Sequence, residues 1–244
     1  MKKNILKKIF KILLIIIIVF VLFSVFLTII YKWVNPPISF LMISRKIEMK
    51  AEINYKYIDI KDIPQSVINC AVAAEDNNFL AHNGIDFSAI KKTFEERKKG
   101  RIRGASTISQ QTAKNVFLWQ GRSYIRKGLE AYFTVLIEIF WSKERIMEIY
   151  LNVIEMGKGI YGIEAASQYY YNKSAKYLTP YQSALIVSSF PAPLKFNPRN
   201  PSEYLANRAN NVLNLSYKIG NIKFDKESII SAKERYEKRK KTNW

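Results

Sequence analysis

The sequence is poor in cysteine and histidine: it holds one of each, Cys70 and His82, in 244 residues. A lone cysteine excludes an intramolecular disulfide framework. One of each excludes zinc sites built from several Cys and His ligands. Acidic residues are also scarce, with 20 Asp and Glu against 39 Lys and Arg and a formal charge of +19. No Walker A loop occurs. No Asp-x-Asp pair occurs either, which argues against a nucleotide-sugar donor that needs a metal held by such a pair. Gly157, Gly159 and Gly162 fit G-x-G-x-x-G, but they follow a predicted helix and no βαβ unit surrounds them, so dinucleotide binding is rejected. Apolar and aromatic side chains are plentiful, at 48% and 14%. That supply supports a packed core and excludes disorder for most of the chain. The length bounds the protein to one domain, or one domain with an appendage.

A basic chain usually meets something anionic: nucleic acid, a membrane surface or a phosphorylated substrate. The first 31 residues decide among these. Lys2, Lys3, Lys7, Lys8 and Lys11 precede an uncharged run over 12–31, in which 17 of 20 positions are Ile, Leu, Val or Phe. Twenty helical residues span about 30 Å, the thickness of a bilayer core. Insertion of this run is favoured by roughly 7 kcal/mol. A cleaved signal peptide would be shorter and end in an A-x-A-like site, and none lies near Tyr31. A retained single-pass anchor is therefore expected, with residues 1–11 as a basic cytoplasmic tail. The remaining residues lie outside the cytoplasm and carry 34 cations and 20 acids, a net of +14. Export removes nucleic acid as a partner and leaves lipid headgroups or a lipid-linked phosphate.

Residues 32–62 read as a connector broken by Pro36-Pro37. Helices are expected over 62–74, 106–116, 124–140, 143–152 and 164–171. A sixth opens at Thr179-Pro180 with Gln182 closing a capping box, and stops at Pro191. Two-residue alternation is nearly absent, so the fold class is mainly α. The catalytic domain is expected over 63–215, and 216–244 reads as a charged tail or solvated helix. No internal repeat is visible.

Four segments could carry chemistry. Glu75 and Asp76 end an apolar helix, where a desolvated glutamate gains the pKa for proton transfer; ordinary surface charges would look the same. His82 is a hydrogen-bonder rather than a metal ligand, having no second histidine. In the second segment Gln110 and Lys114 stand four residues apart, as do Gln111 and Asn115. A face of amides and one ammonium suits a polyhydroxylated, charged ligand, or a hydrogen-bonded structural helix. In the third, Arg122, Arg126 and Lys127 surround Glu130, either as a phosphate clamp or as a salt-bridged helix start. The fourth, over 91–103, has seven cations against Glu95 and Glu96. It reads as a loop against anionic headgroups or a solvated loop.

In this order behind one anchor, the segments resemble the peptidoglycan glycosyltransferases, family 51 of the glycosyltransferases. Glu75, Asp76, Phe79, His82 and Gly84 follow E-D-x-x-F-x-x-H-x-G. Gly104, Ser106, Thr107, Gln110, Gln111, Lys114 and Asn115 follow G-x-S-T-I-x-Q-Q-x-x-K-N. Arg126, Lys127 and Glu130 follow R-K-x-x-E, and residues 143–152 resemble K-x-x-I-x-x-x-Y-L-N. The likeness covers about residues 60–215. One departure is Met156, where the family usually carries an aromatic residue, a volume-tolerant change. The chain ends where bifunctional relatives continue into a penicillin-binding domain, so transpeptidation is not expected.

The resemblance implies a lysozyme-like, mainly helical fold with a second membrane-associated lobe. It implies polymerisation of lipid II through β-1,4 links, with undecaprenyl pyrophosphate leaving from the growing lipid-linked chain. Glu75 matches the general base, and Glu130 the second catalytic carboxylate. Gln110, Gln111, Lys114, Asn115, Arg122, Arg126 and Lys127 match substrate-binding positions. Asp76, Phe79, His82, Gly84, Ser106 and Thr107 match structural positions beside them. No tightly bound cofactor is implied, and Mg²⁺ or Mn²⁺ would ride on the pyrophosphate. Partners would be lipid II, the glycan chain, the bilayer of a bacterial plasma membrane and cell-wall or division proteins. Two rivals stand beside this reading: a lysozyme-like glycan hydrolase, which needs no pyrophosphate clamp, and a non-catalytic membrane-anchored scaffold.

Overall fold

A computed structural model describes residues 2–98, 104–121 and 123–242. Lys99, Arg101, Arg103 and Arg122, together with the side chain of Arg97, lie outside the described part. The chain forms two compact units, Met1–Asn35 and Pro36–Trp244. The first is helix α1 (Lys2–Trp33). Its stretch Ile5–Trp33 has a mean hydropathy of 3.4 over its most apolar window and is long enough to cross a membrane. The helix also runs back through the N-terminal lysines rather than starting at Ile12.

The second unit is mainly helical, as expected. Residues 32–62, read as a connector, hold more structure than that. They include α2 (Phe40–Met49), β1 (Asn54–Tyr55) and a 3₁₀ turn at Ile60–Asp62. Burial of Leu41 and Met42 ties α2 to the core. Arg45 of α2 also donates to Glu155 at 3.0 Å. The local signal of α2 is weak: Ser39, its cap, follows two prolines and its apolar run is short.

Helix α3 (Gln65–Glu75) has seven consecutive buried residues, from Val67 to Ala73. It starts three residues later than expected because Pro64 is its N-cap, which holds Ile63 in extended backbone. Helix α9 (Pro180–Ser189) is buried from Ser183 to Ser189, and its Thr179/Gln182 capping box forms. A helix apolar all round is a central one. Across α9 and α3 lies α10 (Glu203–Ile219), with Leu205, Ala209, Val212 and Ser216 turned inward. The sequence reading named no helix here, although Ser202 caps it and the inward positions recur at helical spacing.

The other half of the core joins α5 (Ile108–Phe117), α6 (Tyr124–Phe140) and α7 (Lys143–Val153). Phe117 stacks on Phe133 with ring centroids 4.5 Å apart. Helix α4 (Phe87–Lys98) takes up the first part of the basic stretch where a loop is expected. Asp86 caps it, accepting from the Ala89 backbone at 2.9 Å. Strands β2 (Glu155–Gly157) and β3 (Ile160–Tyr161) form an antiparallel hairpin, and β1 pairs parallel to β3. The G-x-G-x-x-G pattern is the packing of this hairpin: a Cβ on Gly159 would meet Glu52 O at 2.3 Å, and one on Gly162 would meet Asn152 O at 2.4 Å. Met156 is fully buried there. Helix α8 (Ile163–Tyr171) follows the hairpin, and α11 (Lys226–Thr242) closes the chain.

Candidate active site

Helix α3 ends at Glu75 because Asp76 leaves helical backbone, with φ −159° and ψ 79°. The turn sends the two carboxylates to different surroundings. Asp76 is buried. Its Oδ2 accepts the Ile108 backbone N–H at 3.0 Å, and both oxygens lie 3.0 Å from His82 Nε2. Since Gly84 N–H donates to His82 Nδ1 at 3.1 Å, the imidazole proton sits on Nε2 and points at Asp76. The pair is a structural pin: it fixes the loop after α3 to the start of α5. Phe79 is fully buried beneath Lys143, whose Nζ lies 4.8 Å from the ring centroid.

Gly84 holds the same loop at its far end, with φ +88°. A Cβ there would meet Thr134 Cγ2 at 2.6 Å. Its carbonyl accepts from Thr107 Oγ1. Thr107 in turn caps α5 in a capping box: its hydroxyl accepts from Gln110 N, and Gln110 Oε1 accepts from Thr107 N, both at 3.1 Å. Gln110 is therefore buried and engaged with the helix start. Asn115 is buried as well, and Ser106 is exposed. The amide face expected on α5 thus divides. Gln111 and Lys114 remain half-buried and reachable, whereas Gln110 and Asn115 turn inward, because α5 packs on both α6 and α7.

Glu75 is half-buried. Gln111 Nε2 donates to its Oε2 at 2.9 Å. Burial pushes the Glu75 carboxyl above its ordinary pKa; the Gln111 bond and the charges of Arg208 and Lys114 oppose the rise, and Asp76 adds to it. Lys114 is pushed down by burial, held up by Glu130 and Glu75, and pushed further down by Arg126 and Lys127. Glu75, Lys114, Glu130, Arg126 and Lys127, with Arg208 and Asp76, therefore share one electrostatic neighbourhood. Within it Glu130 is buried and paired twice, with Arg126 at 2.9 Å and with Lys127. Arg126 Nε is buried without a partner among the described residues. The structure thus brings together Glu75, Gln111, Lys114, Arg126, Lys127 and Glu130; Arg122 is outside the described part.

Two participants escaped the sequence reading of the site. Arg208, on α10, donates to Ser188 O at 3.2 Å and its charge reaches Glu75. It is remote in sequence and sits in no motif, so nothing local announced it. Lys143 is buried, donating to His82 O at 2.7 Å and to Glu138 at 2.7 Å. Its signal was present, since it opens the K-x-x-I pattern. At the other end of that pattern Asn152 accepts from Ile58 N and donates to Ile58 O, each at 2.9 Å. The motif is scaffolding for the segment before α3.

Comparison with known proteins bears on what this arrangement does. The transglycosylase family model matches residues 43–216. The chain belongs to the transglycosylase family. A biosynthetic peptidoglycan transglycosylase of Caulobacter vibrioides is 50% identical over 185 residues, covering 75% of this chain and 80% of the relative. One of Bdellovibrio bacteriovorus is 49% identical over 192 residues, covering 76% and 77%. One of Bacteroides thetaiotaomicron is 42% identical over 224 residues, covering 89% and 90%. The activity is accordingly that of a peptidoglycan transglycosylase, a glycosyltransferase of cell-wall biosynthesis. The transglycosylase match begins inside α2 and ends inside α10, so it takes in most of the stretch read as a connector and stops short of α11.

Proposed function

We propose that this transglycosylase polymerises lipid II into β-1,4-linked glycan strands, with Glu75 as general base. The carboxylate accepts the proton of the acceptor sugar's 4-hydroxyl as that oxygen bonds to C1 of the donor sugar. The C1–O bond to the donor's undecaprenyl pyrophosphate breaks, and its electron pair leaves on the pyrophosphate oxygen. A base with a raised pKa holds the proton more strongly than a solvated carboxylate would. Gln111 orients it through Oε2. Lys114, Arg126 and Lys127, with Arg122, neutralise the charge that grows on the leaving pyrophosphate. Glu130 keeps Arg126 and Lys127 convergent. Gln110 is read as shaping the site through the α5 cap rather than touching sugar.

Among the described residues no three His, Cys, Asp or Glu side chains converge to hold a metal. We read any Mg²⁺ or Mn²⁺ as travelling with the pyrophosphate, whose oxygens are the hard ligands such an ion prefers. We place α1 in the plasma membrane with its lysine-rich end in the cytoplasm and the catalytic unit outside. The bilayer then presents the lipid-linked substrate, and cell-wall or division proteins are candidate partners.

The observation that carries this reading is the half-buried Glu75, raised by burial, within electrostatic reach of Lys114. Polymerisation of lipid II by the detergent-solubilised protein tests it. Glycan strands from the wild type, and a rate lower by about 10²–10⁴-fold in Glu75→Gln, are expected. Equal rates would remove Glu75 from its role. Strand shortening without synthesis would mark a hydrolase.

A further inference from the structure

The C-terminal segment lies beyond the residues matched by the family model, yet it is fastened to both sides of the turn that carries Glu75. Its first attachment is to α3. Ile222 N donates to Asn69 Oδ1 at 3.0 Å, Asn69 Nδ2 donates to Asn221 Oδ1 at 3.0 Å, and Gln65 Nε2 donates to Ile222 O at 2.9 Å. Asp225 then caps α11, accepting from Ser228 N at 2.8 Å. Along α11, Ile229, Ala232 and Tyr236 recur at helical spacing on its inward side. Tyr236 is the buried member of that row, and its hydroxyl donates to Asp86 Oδ1 at 2.8 Å.

Asp86 is the hub of the second attachment. Besides Tyr236, its carboxylate accepts from Asn78 Nδ2 at 2.8 Å, Ser88 Oγ at 2.6 Å and Ala89 N at 2.9 Å. Asn78 lies in the loop that Asp76, His82 and Gly84 hold beside Glu75. The charge of Lys233 also reaches Lys143, which grips the same loop through His82 O. The chain after α10 therefore runs from the flank of α3 to the far end of the 76–86 loop. Glu75 sits at the junction of the two.

We propose that α11 is a strap that positions the Glu75 turn, with Tyr236 as the positioning residue that latches it to Asp86. The inference rests on the proposed lipid II reaction for its kinetic readout. A carboxylate that must meet a sugar hydroxyl tolerates little displacement, so loosening the loop lowers the rate at saturating substrate without touching the substrate. Tyr236 is placed to act through Asp86, which it bonds, and through Asn78, which Asp86 bonds in turn.

The test uses the full chain with Tyr236→Phe, which keeps the ring and removes the hydroxyl. Three quantities are read beside the wild type: kcat and KM for lipid II polymerisation, the unfolding temperature, and backbone hydrogen exchange over residues 76–89. The expected result is faster exchange in that stretch and kcat lower by about threefold to tenfold, with KM within about twofold. Unchanged exchange over 76–89 overturns the latch. Faster exchange with unchanged kcat overturns the positioning role. A lower unfolding temperature with kcat and local exchange unchanged makes α11 a stabilising helix only, which also overturns it. If the wild type itself makes no strands from lipid II, the reaction proposed above fails, and the exchange measurement alone decides whether Tyr236 latches the loop.

Discussion

At the scale of single residues, Glu75 and Asp76 show how neighbours in sequence acquire different work. Asp76 is buried with a backbone N–H and an imidazole N–H to satisfy it, so it holds structure. Glu75 has one amide partner and a desolvated setting, so its proton is held more strongly. Two consequences follow from that direction. The acid limb of kcat/KM is expected above the ordinary carboxylate range, where Glu75 loses its proton; a pH–rate profile of polymerisation measures it. Stability moves the opposite way. A carboxyl whose folded pKa exceeds its unfolded value favours the folded state below about pH 4 and loses that contribution as pH rises through the folded pKa. Glu75→Gln, neutral throughout, is therefore expected to unfold at a higher temperature than wild type at pH 8. The gap should close below about pH 4 in thermal scans.

At the scale of elements, helix ends set the site. The α3 terminus, the α5 cap and the start of α4 are joined by side chains that serve two elements at once. Thr107 caps α5 and bonds Gly84 O. Asp86 caps α4 and gathers Asn78 and Tyr236. Burial alone would raise the Asp86 carboxyl, but bonds from Ser88, Asn78, Ala89 and Tyr236 bring it down to about 2. The sign is that of a depressed acid: its stabilisation is present above about pH 4 and is lost as pH falls towards about 2. Asp86→Asn is expected to cost about 2 kcal/mol in denaturant unfolding at pH 7, with the difference fading as the pH drops through that window.

At the scale of the whole molecule, the second unit keeps apolar side chains on its surface. Phe87 and Phe94 of α4 are 70% and 64% exposed, and Tyr124 and Ile125 at the start of α6 are 99% and 76% exposed. They accompany a strongly basic chain. Apolar groups with cations beside them suit an anionic interface. A chain beginning at Pro36, without α1, is therefore expected to sediment with vesicles containing anionic lipid. Salt should weaken that binding several-fold, and Phe87→Ser with Phe94→Ser should weaken it at any salt concentration. Binding only to neutral vesicles, or none, would count against a membrane-facing surface.

The long apolar N-terminal helix, the helical class and the segments of the candidate site are legible in the residues alone. Each of these is local: an unbroken apolar run, the 3.6-residue recurrence that marks α6, and the Thr179/Gln182 capping box are written in adjacent residues. The motif residues Glu75, Lys114 and Glu130 could be named for the same reason. Their different burial and pairing came with folding, because both depend on contacts remote in sequence. Packing of α5 on α6 and α7 turned Gln110 and Asn115 inward and left Gln111 beside Glu75. Folding of α10 across α3 and α9 brought the charge of Arg208 to Glu75. The Tyr236–Asp86 bond spans 150 residues, and no local pattern marks its two ends as partners. Stretches 32–62 and 87–98 were underread because short or lysine-rich helices need a cap and a core to hold them, and both come from elsewhere in the chain.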